Sequence, residues 1–319
     1  MPQRWDQSRG ALRAILPILI GCAVLAASLA SAPNVQGATR TWDGGGGDGL
    51  WSTAANWTAD TVPIAGDTVT FNGTSTTSAT IDMAVTVAIF QVNAGYTGTI
   101  TQAAGQPLDI TTSYTQSAGT FAGGASTITV TGTTTVNAGG TFNGGTSTIS
   151  LNGALTVAAG GAFTSTSGTM TLTGALTLAA GVFTHNSGTV IFSTSNVTLN
   201  LGGAATFNNV QFASGTKTFS AANTMTVAGT LTLAGGTVNT GTIAAQGSID
   251  TQAGFAGGTT ILLINGTTPQ TWSGTAGGAT DLLPVNINNP ASTLTITASL
   301  RTTRNWTFTA SGGLTASGS

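Results

Sequence analysis

Between residues 119 and 192 the chain sets bulky apolar residues two apart, most often with threonine or serine between them, in short runs broken by glycine. One slot holds Ile128, Ile149, Met170 and Val190; two residues on stand Val130, Leu151, Leu172 and Phe192. Thr127, Thr148, Thr169 and Thr189 come immediately before. A period of two is the pattern of a strand with one buried and one solvated face. Gly132, Gly153 and Gly174 then interrupt the run, as a corner does. A second short run turns Val136, Val157 and Leu178 inward and Thr135, Thr156 and Thr177 outward. The next glycine-rich step returns to a phenylalanine slot, in which Phe121, Phe142, Phe163 and Phe183 recur at spacings of 21, 21 and 20 residues.

Self-similarity at this period is the signature of a stacked repeat. Each unit predicts two or three short strands separated by bends. A single coil buries too little to stand alone, so the stack is the folding unit. The predicted fold is therefore all-β, a parallel β-helix (β-solenoid) with coils of roughly 20–22 residues and an N-terminal cap. Its expected hand is right, the general hand of parallel strand connections. Beyond residue 204 the period loosens but the alternation persists through Phe207, Val210, Phe212, Met225, Val227, Leu231 and Leu233, and again over residues 293–297. The chain stops in SGGLTASGS, which reads as a truncated end.

Composition agrees. Of 319 residues 46 are glycine and 5% are charged, against about 25% in an ordinary soluble domain. All nine acidic residues are Asp, and the scarcity of Glu, Lys and Arg argues against helices. The formal charge is −2, and no basic patch exists to neutralise phosphates, so nucleic acid is not an expected partner. Residues 110–216 contain no Asp, Glu, Lys or Arg.

The N-terminus reads as an export signal over residues 1–38. Arg4, Arg9 and Arg13 precede an apolar and small-residue run at 14–32, with cleavage after Ala32 or Ala38. A retained membrane anchor is disfavoured by Pro17 and the Ala/Ser-rich second half. Cys22, the only cysteine, ends a lipobox-like Leu19-Ile20-Gly21-Cys22 and could carry a lipid anchor, although the apolar run continues past it. The expected organisation is a signal peptide at 1–38, a Trp-rich cap and first strands at 39–93, and repeats at 94–319. The location expected is extracellular or cell-surface, with no membrane span in the mature chain.

Residues 39–71 differ from the repeats and hold three of the six tryptophans, Trp42, Trp51 and Trp57. With Asp43, Gly44, Ser52, Asn56, Pro63, Gly66, Asp67, Val69 and Phe71, they form a W-D-G-G-G … W-S … A-A-N-W … P-x-x-G-D-x-V-x-F opening. This resembles the opening of bacterial secreted β-strand-repeat proteins, including autotransporter-associated repeats and adhesin-like surface proteins. The resemblance covers about a tenth of the chain. It implies a secreted, β-helical, non-enzymatic surface protein. No translocating barrel or cell-wall sorting motif follows, so an autotransporter route is not supported. From the residues themselves, the tryptophans are expected to close the N-terminal end of the stack; the other reading is a sugar-stacking platform.

Candidate chemistry is sparse. His185, the sole histidine, lies in an HNSG turn without an acid or base nearby in sequence, and zinc has no donor set. Asp43 and Asp48 flank glycines, but the regular acidic spacing of a calcium loop is missing. Asp82, Asp109, Asp250 and Asp281 are scattered, whereas a β-helical polysaccharide lyase or hydrolase needs converging carboxylates or a cationic base. No catalytic residue, cofactor or metal is expected. The core ladder is expected from Phe121, Phe142, Phe163, Phe183, Ile128, Ile149, Met170 and Val190. The function expected is a structural or adhesin-like scaffold toward a surface, matrix or glycan ligand. Two alternatives are a polysaccharide-binding or polysaccharide-degrading β-helix and an ice-binding solenoid using outward T-x-T residues such as Thr127, Thr129, Thr148, Thr169 and Thr171.

Overall fold

The computed structural model describes residues 37–193, 195–274, 282–297, 300 and 303–316. The export signal, Cys22 and Asp281 lie outside them. The described chain is almost entirely short parallel strands, with single 3-10 turns at Ala54–Asn56 and Thr58–Asp60. About eleven coils stack as a β-solenoid.

Each coil visits three hydrogen-bonded ladders in the same order. Thr120–Ala122, Thr141–Asn143 and Ala162–Thr164 belong to the first face. Ile128–Val130, Ile149–Leu151 and Thr169–Leu172 build the second. Thr133–Val136, Leu155–Val157 and Leu176–Leu178 build the third. The register has no offset between these coils: Phe121 pairs Phe142, which pairs Phe163. Ile128 pairs Ile149, which pairs Met170, which pairs Val190. Like side chains therefore meet like side chains along the stack, and the interior consists of continuous columns.

The columns explain the repeat. On the first face, the Phe121 and Phe142 rings stack with centroids 5.1 Å apart and planes 8° apart; Phe142 and Phe163 are at 4.8 Å and 6°. Ile128, Ile149, Met170, Val190 and the second-position residues Val130, Leu151, Leu172 and Phe192 are all buried. The second face begins below the best repeats, at Val85 and Leu108, and continues above them through Val210, Leu231 and Ile249.

Phe183 departs from the core ladder. Its ring follows Phe163 at 6.1 Å but is only half-buried, beside a notch of about 220 Å³ lined by Leu178, Ala179 and Ala205. The cause is covalent: five residues separate Leu178 from Phe183, where six separate Val157 from Phe163. The shortened turn leaves only Phe183–Thr184 in the ladder, and the first face resumes at Ala204–Phe207.

The glycine corners follow from close approach. A Cβ on Gly132, Gly153 or Gly174 would fall onto the backbone carbonyl of Thr112, Gly132 or Gly153 in the preceding coil. Earlier coils have no glycine there and run through the same corner as unbroken strands, Val85–Val92 and Leu108–Gln116.

Candidate functional surfaces

The Trp-rich block sits on the first rungs of the third face. Thr39–Thr41 pairs with Thr68–Phe71, which pairs with the C-terminal half of Val85–Val92. The parallel ladder thus passes through this block and on across residues 93 and 94 without a break. Trp42, Trp51 and Trp57 have no exposed surface. Trp42 meets Trp57 edge-on at 5.1 Å, Trp51 meets Trp57 edge-on at 4.5 Å, and Trp51 stacks on Phe90 at 6.0 Å. Phe90 stacks in turn on Tyr114 at 5.5 Å, so the indoles head an aromatic column that runs into the repeats. Sugar stacking needs an open ring face, and these three rings have none.

The motif's polar residues hold the block together. Asp67 accepts from Ala38 N–H at 2.8 Å and Ile64 N–H at 3.1 Å, and pairs with Arg40 at 3.5 Å. Asp48 accepts from Leu50 N–H, the Thr53 hydroxyl and the Asn56 amide, and these bonds hold its carboxyl below the usual range. Asp43 accepts from Gly45 N–H, and Asp82 from both the N–H and hydroxyl of Ser52. The carboxylates flanking the glycines are thus engaged in turn geometry, and among the described residues no cluster of His, Cys, Asp or Glu could hold a metal.

The remaining candidates stay apart. Asp109 and Asp250 occupy one outward column of the second face, but Thr129, Ser150, Thr171, Ile191, Gln211 and Thr232 stand between them. Seven rungs at about 4.8 Å place them roughly 34 Å apart, beyond the reach of any paired-carboxylate chemistry. His185 accepts from Ser187 N–H within its own turn at 3.3 Å. The T-x-T positions point outward from three successive coils, with Ser150 in the middle one, and the lattice then ends at Ile191.

Sequence reasoning missed Lys217. It is buried, and its Nζ donates to the carbonyls of Ser193 and Ser195 at 2.7 Å and of Ser214 at 2.6 Å. Burial pushes its pKa down. The signal was present: in Thr216-Lys217-Thr218-Phe219 the lysine is in phase with Phe219 and so occupies an inward slot. Its stem fills a column between Val197 and Val238 while its head closes a corner. Gln116 does the same work with an amide, donating to Gly119 and Thr141 carbonyls and accepting from the Tyr114 hydroxyl.

Comparison of the chain with protein-family models, curated proteins and solved structures finds no match. Kinship with secreted β-strand-repeat proteins therefore rests on the opening motif alone.

Proposed function

We propose that this protein is a non-enzymatic scaffold, secreted or held at the cell surface, that works by spacing and adhesion. The observation that carries this reading is the outer surface: an uninterrupted parallel stack whose outward positions are mostly Thr, Ser, Asn and Gln, with its carboxylates dispersed or engaged in turns. Such a surface offers shape and hydroxyl groups to a matrix or glycan. It offers no converging acid, base or nucleophile for chemistry. A polysaccharide-degrading role is weaker because Asp109 and Asp250 are separated along the stack. An ice-binding role is weaker because the T-x-T lattice is short.

The test is protease shaving of intact producing cells with immunodetection of the chain. The reading expects the protein in the medium, or on cells and removable by external protease. A pool protected until the cells are lysed would contradict it. Release of unsaturated or reducing ends from uronate polymers by the purified chain would contradict the non-enzymatic part.

A further inference from the structure

The two ends of the stack are built differently. At the N-terminal end, the free edge of Thr39–Thr41 is crossed by the segment around Trp57. Trp42 and Trp57 form an antiparallel bridge, Asp43 N–H donates to the Asn56 carbonyl, and Thr41 N–H donates to the Thr58 hydroxyl. An antiparallel crossing ends parallel growth. At the other end, Trp306–Ala316 pairs on one side only among the described residues, with Val285–Ile296. This edge of 11 residues contains no charge and no proline, the devices that ordinarily keep an edge strand from pairing. Phe308 is 55% exposed and Leu314 44% exposed, although each continues a column that is buried one coil earlier, at Ile287 and Leu294. Buried polar side-chain atoms without a partner also gather here: Asn289 Nδ2 and Oδ1, Ser292 Oγ and Trp306 Nε1.

We infer that a second copy of this chain docks on this end, tail to tail, with Trp306–Ala316 pairing antiparallel to itself about a two-fold axis through Ser311. Head-to-tail stacking is blocked because the opposite end is already crossed, so the closed isologous contact is the one left. The strand is self-complementary about that axis. Phe308 falls opposite Leu314 of the second copy, Thr307 opposite Thr315, and Trp306 opposite Ala316. Residues 306, 308, 314 and 316 continue the columns of Val285, Ile287, Leu294 and Ile296, so inward positions meet inward positions and threonines meet outside. A one-residue slip would destroy that agreement. The strand turns a corner between Phe308 and Gly313, passing from the first face to the second. An axis through this corner exchanges the two faces and lets both halves pair.

Sedimentation equilibrium of the full chain tests this. The expected mass is twice the chain's 31.3 kDa. Phe308→Lys and Leu314→Lys bring like charges together across the interface and should weaken self-association by about 100-fold or more, with circular dichroism unchanged. Ile64→Lys, at an exposed site near the crossed end, should leave the dimer intact. Because Ser311 lies on the axis, Cys22→Ser combined with Ser311→Cys should give a covalent dimer on oxidation; this arm decides the matter if a lysine variant does not fold. A monomer throughout the micromolar range, a dimer indifferent to both lysines, growth beyond the dimer, or failure of Ser311→Cys to cross-link would each overturn the inference.

Discussion

At Phe142 the phenyl ring lies between two parallel neighbours, Phe121 and Phe163, with almost no exposed surface. Phe142→Ala removes stacking on both sides and leaves a cavity that neighbouring coils cannot close, so a loss of about 3–5 kcal/mol is expected in urea unfolding. Phe183→Ala, at the half-buried position, should cost about 1–2 kcal/mol. Lys217→Met keeps the apolar stem but leaves three carbonyls without their donor, and a loss of about 1–3 kcal/mol follows. Lys217 also makes stability depend on pH. Its pKa is lowered in the folded chain from 10.5, so between the folded value and 10.5 the unfolded chain binds more protons. Stability should therefore rise with pH across that window in the wild type relative to Lys217→Met. Tyr96 and Tyr114 act in the opposite sense. Burial pushes both phenols above 10.0, so above pH 10 the unfolded chain sheds protons that the folded chain keeps, and stability should fall. Denaturant titrations of the two chains from neutral to alkaline pH check both signs.

At the scale of the strand and its corner, the alternation of apolar residues and threonine sets the register, and glycine sets how closely coils approach. Gly153→Ala drives a Cβ into the carbonyl of Gly132, and the backbone on both sides is fixed by ladder hydrogen bonds. A loss of about 2–3 kcal/mol is expected, with reduced cooperativity of thermal unfolding. Gly47→Ala, where a Cβ meets nothing, should cost only the strain of its left-handed backbone, about 1 kcal/mol. The strands around Ile128, Ile149 and Met170 were legible because the period of two repeats in register. The corner glycines were legible as breaks, though the reason, a carbonyl directly beneath each, required the stack. The Trp-rich block was legible as a unit by composition. Nothing in its sequence announced that Asn56 and Trp57 would cross the edge of the first strand, since that pairing is antiparallel and made by single residues. Lys217 was hidden because a lone charge is ordinarily solvated; only its phase with Phe219 gives it away.

Across the whole molecule, one dimension dominates. Every coil touches chiefly the coil before and the coil after, so stability accumulates along the stack and the two ends carry the exceptions. The N-terminal end is closed by buried indoles, and the other end leaves a long uncharged edge with exposed Phe308 and Leu314. The surface reading and the dimer inference both depend on this axial order. Electron spin resonance on nitroxides at Thr115 and Asn200 tests it most directly. Both face outward on the third face, linked rung by rung through Thr135, Thr156 and Thr177. Four rungs at about 4.8 Å predict a separation of roughly 19 Å, broadened by the label arms. A second pair at Thr115 and Thr177 should lie one rung closer. Separations that do not shorten with the rung count, or a broad distribution centred far beyond this value, would contradict the stack.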